Sequence, residues 1–189
     1  MVSRTIIWTG QSVPGREELS IAENDKDITA TSHVTGGDAE LRTRWDATYT
    51  IVCDNAWRVR RVVIKESRSG RHLTLYGDGH GNWKNEAGEL LENISGCIDI
   101  DFRATPFSNT FPIRRLQLRP GETASIEVAY INAPDLKINR ERQIYTRMSE
   151  REWKFEQPSA NFEALITVDN DGFVVDYPGL FGRVNRDEH

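Results

Sequence analysis

Only two cysteines occur among the 189 residues. Cys53 and Cys97 each lie in a strand-like run, without a CxxC spacing or a companion histidine cluster. Neither a disulfide framework nor a zinc site is expected, and both thiols read as buried. The four histidines, His33, His72, His80 and His189, show no HxxxH or HxH spacing, so no metal site is expected. No apolar run reaches the roughly 18 residues of a membrane-spanning helix. The opening "MVSRTIIWTGQSVPG" has only a short apolar stretch before Gly10, unlike a secretory signal. These absences point to a cytoplasmic protein without stable membrane insertion.

An excess of positive charge is also missing. The 24 Lys and Arg against 29 Asp and Glu give a formal net charge of −5, so bulk attraction to nucleic acid or an anionic membrane is not expected. The local basic run of Arg58, Arg60, Arg61, Lys65, Arg68 and Arg71 reads as a solvated strand face. Phosphate loops (GxxxxGKS or GxGxxG before a helix) and the GxSxG elbow of serine hydrolases do not occur, and neither cysteine sits at a recognisable helix start. No cofactor is expected.

What is present is alternation. In "TRWDATYTIVC", residues 43–53, Trp45, Ala47, Tyr49, Ile51 and Cys53 share one parity, and polar residues occupy most of the other, as in a half-buried strand. The next run places Trp57 and Val59 at odd positions, then Val62 and Ile64 at even ones. That switch at Arg60-Arg61 predicts a β-bulge, which bends a strand. Further strands are predicted over 27–35, 71–77, 97–104, 124–132, 136–148, 151–157, 162–169 and 172–178. Turn signals such as Ser69-Gly70, Pro120-Gly121 and Asp169 to Gly172 separate them. Short connections favour antiparallel neighbours, hence an all-β meander.

The helix signal is confined to 105–111, with Thr105 as N-cap, Pro106 at the first helical position and Pro112 stopping any continuation. Gly36-Gly37-Asp38 and residues 77–96 read as loops. No linker or repeat divides the chain, so residues 1–189 form one domain, with a mobile tail from about residue 184. At this length folding buries roughly 70% of the unfolded surface, enough for a core without staples.

The densest chemistry is "CIDIDFRATPFSNTFPIRRL", residues 97–116. Asp99 and Asp101 project from one strand face about 7 Å apart, with Ile98, Ile100 and Phe102 on the other. Carboxylates separated by about 5 to 9.5 Å serve both glycosidase geometries, so the spacing permits an acid and base pair. It equally permits a structural ion-pair network with Arg103, Arg114 or Arg115, or a clamp on hydroxyl or phosphate groups. The loop "YGDGHGNW" offers His80 and Trp83 among three glycines, as a ligand-facing mouth or as a turn with Trp83 plugging the core.

The block from Cys97 to Leu116, preceded by "GDGHGNW" and followed by "VAYINAPDL", resembles the glycolipid-binding family, a bacterial group named by prediction and long classed as of unknown function. The similarity runs from Trp8 to about Val184. It implies one long, strongly curved, mainly antiparallel sheet, a half-barrel or β-roll, wrapped around a short helical insert. That shape is similar to bacterial lipoprotein carriers that hold acyl chains. The family motif falls on Asp99, Asp101, Arg103, Thr105, Asn109, Pro112, Arg114 and Arg115.

A non-enzymatic binding protein for a glycolipid or other amphiphile is therefore expected, the ligand lying in the sheet's hollow. Asp99, Asp101, Arg103, Asn109, Arg114 and Arg115 would orient its head, with His80 and Trp83 at the mouth. Two alternatives stand beside it. One is a hydrolase or isomerase acting on a sugar or lipid-linked sugar through Asp99 and Asp101. The other is a β-rich scaffold that pairs a protein partner along a sheet edge.

Overall fold

The computed structural model describes residues 2–184; the tail expected to be mobile lies, apart from Val184, outside the described residues. Fourteen strands form one sheet among them. The first seven are β1 (Val2–Gly10), β2 (Arg16–Glu23), β3 (Ile28–Asp38), β4 (Thr43–Cys53), β5 (Val59–Glu66), β6 (His72–Gly77) and β7 (Trp83–Asn85). After β8 (Asp99–Phe102) and the helix α1 (Thr110–Leu116) come β9 (Thr123–Ile131), β10 (Ile138–Arg147), β11 (Glu152–Gln157), β12 (Phe162–Val168), β13 (Val174–Tyr177) and β14 (Phe181–Arg183).

The spatial order is β7-β6-β5-β4-β3-β2-β1-β14-β13-β12-β11-β10-β9-β8. The first and last described strands thus pair at the centre of the sheet, where Trp8 of β1 lies opposite Arg183 of β14. One half meanders outward to β7, and the other returns inward from β8. The sheet stays open, with the short strands β7 and β8 as its edges. The segment between them ties the edges together without a ladder. Gly96 N–H donates to Gly81 O at 2.8 Å, and Trp83 Nε1 donates to Cys97 O at 2.6 Å.

The alternation of β4 is realised in full: Trp45, Ala47, Tyr49, Ile51 and Cys53 are all buried. The predicted bulge is present too. Cys53 lies opposite Val59 and Val52 opposite Arg61, which leaves Arg60 as the extra residue. Its exposed neighbour Arg61 then lets Val62 and Ile64 return to the core.

Three expectations are corrected. Gly36, Gly37 and Asp38 are not a loop but extend β3, opposite Trp45, Arg44 and Thr43. Glycine is required there because a Cβ on Gly36 would sit 2.8 Å from Trp45 Nε1. Residues 77–96 contain strand β7 and a 3-10 turn, Glu92–Ile94. The sheet is mainly antiparallel, as expected, with β8 alone running parallel to its neighbour β9, Asp99 opposite Val128. Residues 103–122, which carry α1, are long enough to make that crossover.

The third correction concerns the helix. Thr105 Oγ1 does accept from Phe107 N–H at 3.0 Å, and Pro106 opens a 3-10 turn, Pro106–Asn109. The chain then continues into α1 rather than stopping at Pro112. Pro112 is the third residue of α1, within the first turn, where backbone N–H groups have no partner inside the helix and its missing donor costs nothing.

The core divides in two. The larger cluster joins the inner faces of β1 to β6 to the buried insert, with Phe102, Phe107 and Phe111 at its middle. The smaller one, around Tyr145, Trp153, Phe155 and Tyr177, lies on β10 to β13. No described helix is long and apolar enough to cross a membrane.

Candidate ligand-binding site

A cavity of about 620 Å³ opens at the end of the sheet where the β1–β2, β3–β4 and β13–β14 turns lie. That volume is within the range of small-molecule sites, about 300 to 1,000 Å³. Asp101, Arg103, Thr105 and Asn109 of the insert line it on one side.

Strand β2 supplies its most unusual side chain. Alternation turns Glu17, Leu19 and Ile21 inward; the latter two fill the core, while Glu17 lines the cavity at 1% exposure. Its Oε1 accepts from Tyr49 OH at 2.5 Å and Ser32 Oγ at 2.9 Å, and its Oε2 has no partner. Burial pushes the carboxyl up to about 7 against the pull of the Tyr49, Thr105 and Ser32 hydroxyls. The buried Trp45, from β4, also lines the cavity, and its Nε1 has no partner either.

Along the insert, Asp101 Oδ2 accepts from Gln143 Nε2 at 2.6 Å, and burial pushes this carboxyl up to about 6. Tyr145 OH donates to Asn109 Oδ1 at 3.0 Å. Arg103 pairs with Asp38 at the end of β3 and also reaches Asn132. Another part of the lining is aromatic. Phe155 lies 6.1 Å from both Phe162 and Tyr177, and Tyr177 lies 6.4 Å from Phe181, ring centre to ring centre. Leu41, on the β3–β4 turn, is 61% exposed, and Leu180, on the β13–β14 turn, is 39% exposed.

The residues that sequence reasoning grouped are therefore divided by the fold. Asp101, Arg103 and Asn109 line the cavity. Asp99 is wholly buried and held in a fork by Arg115, whose Nε lies 3.0 Å from Oδ1 and Nη2 2.6 Å from Oδ2. Burial raises the Asp99 carboxyl while the Arg115 guanidinium opposes the rise. Arg114 turns outward, stacking over Trp57 at 4.7 Å and donating to Asp171 O at 2.7 Å. His80 is exposed on the β6–β7 turn, and Trp83 is buried beneath Cys97. None of Asp99, Arg114, Arg115, His80 or Trp83 lines the cavity.

Glu17 and the four-membered aromatic wall escaped the sequence reading, Asp38 entered it only as part of a loop, and Trp45 only as core. The available signal for Glu17 was a glutamate at the inward parity of an otherwise apolar alternation. Nothing local marks the aromatic wall, because its members come from four strands. Among the described residues, no group of three or more His, Cys, Asp or Glu is placed to hold a metal ion.

Comparison with known proteins bears on the whole of this frame. A family model described as "Putative glycolipid-binding" matches residues 5–183, which spans both halves of the sheet and every residue of the cavity wall. Among solved structures, a DUF1089 family protein from Pseudomonas aeruginosa is similar at 37% identity, covering 90% of this chain and 92% of that one, with a TM-score of 0.80. None of the curated proteins compared with the chain matches it. With nearly its full length matched, the chain belongs to the family described as "Putative glycolipid-binding".

Proposed function

We propose that this protein binds a glycolipid or another amphiphile in the cavity and does so without catalysis. The observation that carries the reading is that one cavity joins an aromatic wall to a buried polar side. The polar head lies among Glu17, Asp101, Arg103 and Asn109, and the apolar tail lies along Phe155, Phe162, Tyr177 and Phe181 toward Leu180. Each methylene buried there contributes about 0.8 kcal/mol of gross transfer energy, so a tail of modest length offsets the loss of free motion on binding. Native mass spectrometry of the purified protein, before and after exposure to a bacterial lipid extract, tests it. A one-to-one adduct that Phe162→Asp removes is expected; a bare protein mass in both samples refutes the reading.

A second reading is favoured by one specific feature, the placing of two carboxyls, Glu17 and Asp101, on one cavity with values pushed up to about 7 and about 6. Displaced values of this kind suit a general acid and base acting on a sugar or lipid-linked sugar. Asp99 lies outside that cavity, so the pair in this reading is Glu17 with Asp101. Turnover of a glycoside with a bell-shaped pH profile, abolished by Asp101→Asn, would establish it; no turnover across a glycoside and ester panel removes it.

A further inference from the structure

We infer that the end of the sheet where the cavity opens is a docking face for an anionic lipid bilayer, with Leu41 and Leu180 entering the leaflet and Arg42, Arg68 and Arg71 lying over its phosphates. The inference rests on the proposal that an amphiphile occupies the cavity, and it names the surface across which that ligand is exchanged.

Strand pairing fixes which turns share this end. Gly10 lies opposite Phe181, Arg16 opposite Thr35 and Asp38 opposite Thr43, which brings the β1–β2, β3–β4 and β13–β14 turns together. Lys65 lies opposite both Thr48 and His72, so the β5–β6 turn, residues 67–71, stands next along the same end. Hydrogen bonds lace the first three turns into one rim. Ser12 Oγ donates to Gly179 O, Gln11 N–H donates to Leu180 O at 3.0 Å, and Arg44 Nη1 donates to Pro14 O at 3.2 Å.

Large apolar side chains stand on this rim where the turns do not require them. Turns are ordinarily built from Gly, Pro, Asn, Asp and Ser. Leu41 is nevertheless the most exposed large hydrophobe among the described residues, and Leu180 is exposed as well. The half-buried Val13 lies on the β1–β2 turn between theirs. Neither leucine belongs to a core cluster. Apolar tips held in water gain by entering hydrocarbon, and an amphiphile leaving the mouth there keeps its tail out of water.

The net charge of −5 conceals a polarity along the strands. At the mouth end, turns 11–15, 39–42, 67–71 and 178–180 carry three arginines, Arg42, Arg68 and Arg71, against one acid, Glu40. All three are exposed, and none forms an ion pair among the described residues. At the far end, turns 24–27, 54–58, 78–82 and 169–173 carry six acids, Asp25, Asp27, Asp54, Asp78, Asp169 and Asp171, against Lys26 and Arg58. Turns 132–137, 148–151 and 158–161 of the other half are balanced. Such a molecule is steered mouth first onto a negative surface, with its far end held away. A nucleic acid offers the same phosphates but no hydrocarbon for Leu41 and Leu180.

Vesicle flotation tests the face, with phosphatidylcholine alone and with phosphatidylcholine and phosphatidylglycerol in equal parts. Partitioning into the anionic vesicles should be at least about tenfold the stronger at low ionic strength, and should fall as salt is raised. Arg42→Ser, Arg68→Ser and Arg71→Ser together should remove most of the difference, since each arginine near the surface strengthens binding about fivefold. Arg119→Ser, at the far end, should leave it unchanged. Leu41→Ser with Leu180→Ser should weaken partitioning at least about tenfold. An environment-sensitive dye on Leu41→Cys should shift to the blue with anionic vesicles, and the same dye on Lys26→Cys should not; Cys53 and Cys97 are buried and escape labelling.

Equal partitioning into the two vesicles, or a blue shift at both labelled positions, overturns the face. Dimerisation that Leu41→Ser abolishes, without vesicle binding, gives the face to a second copy of the chain and overturns it too. A lipid adduct in native mass spectrometry without vesicle binding overturns the docking and leaves the amphiphile reading standing. Anionic vesicle binding without any adduct supports the face and removes the reading beneath it.

Discussion

Replacing Glu17 with Gln should flatten the dependence of stability on pH. The carboxyl is pushed from 4.5 to about 7 by burial. Between those values the folded protein holds a proton that the unfolded chain has lost, so stability falls as pH rises through this window and levels off above about 7. A gap of 2.5 units, from 4.5 to 7, corresponds to about 3 kcal/mol at 1.36 kcal/mol per unit. Integrated from pH 5 to pH 8, the wild-type loss from this one group is about 2.5 kcal/mol. For a chain of this size that is a fall in Tm of about 5 to 10 °C.

The Gln side chain keeps an oxygen for Tyr49 and Ser32 and cannot ionise, so the variant should lack this loss. Asp101 acts in the same sense at lower pH, from 3.8 to about 6, and is common to both proteins. Asp78 acts in the opposite sense: the Asn82 amide and the His80 backbone N–H hold it down to about 2, below the window. Urea unfolding at pH 5, 6, 7 and 8 and constant ionic strength gives the two curves. Because the comparison is of slopes, any fixed cost of an unpaired Gln amide cancels. Curves that run parallel within about 0.5 kcal/mol would refute the placement of a strained, buried carboxyl on β2.

Three further outcomes follow from the packing. Asp99→Asn should lower the unfolding free energy by about 3 kcal/mol, because it leaves the largely buried Arg115 guanidinium without its counter-charge; urea midpoints measure this, and pairing the change with Arg115→Met should recover most of the loss. Gly81→Ala should cost more than Gly70→Ala, by about 1 to 3 kcal/mol. Both glycines have positive φ, but a Cβ at Gly81 would lie 2.8 Å from the Gly96 backbone, whereas Gly70 faces open space. Cys53 and Cys97, whose thiols burial pushes upward, to about 11 for Cys97, should resist iodoacetamide in the native protein and react once it is unfolded, as mass spectrometry would read.

Elements were legible in the sequence where one strand face was largely apolar. β4 shows this, since every inward position from Trp45 to Cys53 is a hydrophobe. Strand β2 was not read because its inward series begins with Glu17, the residue that breaks the alternation and lines the cavity. In β1 the inward Ile6 and Trp8 flank the half-buried Ile7, which erases the period. The parallel pairing of β8 has no local signature, since it is set by where residues 103–122 return the chain. The same limit applies to the site. Asp101, Arg103 and Asn109 stand together in one block, while Glu17, Trp45 and the aromatic wall meet them only through the fold.

Asp99 and Asp101 carry the sharpest lesson about what spacing can say. They stand two residues apart on one strand, yet α1 folds back to lay Arg115 on Asp99, while Gln143 of β10 meets Asp101. Two residues further, Arg103 crosses to Asp38 of β3. The insert therefore touches both halves of the open sheet within five residues, through Asp101 on one side and Arg103 on the other. Asp99 with Arg115 ties the start of the insert to its own helix, two residues before Asp101 reaches the cavity. Loss of the Asp99–Arg115 pair should consequently loosen ligand binding as well as stability, even in a variant that still folds.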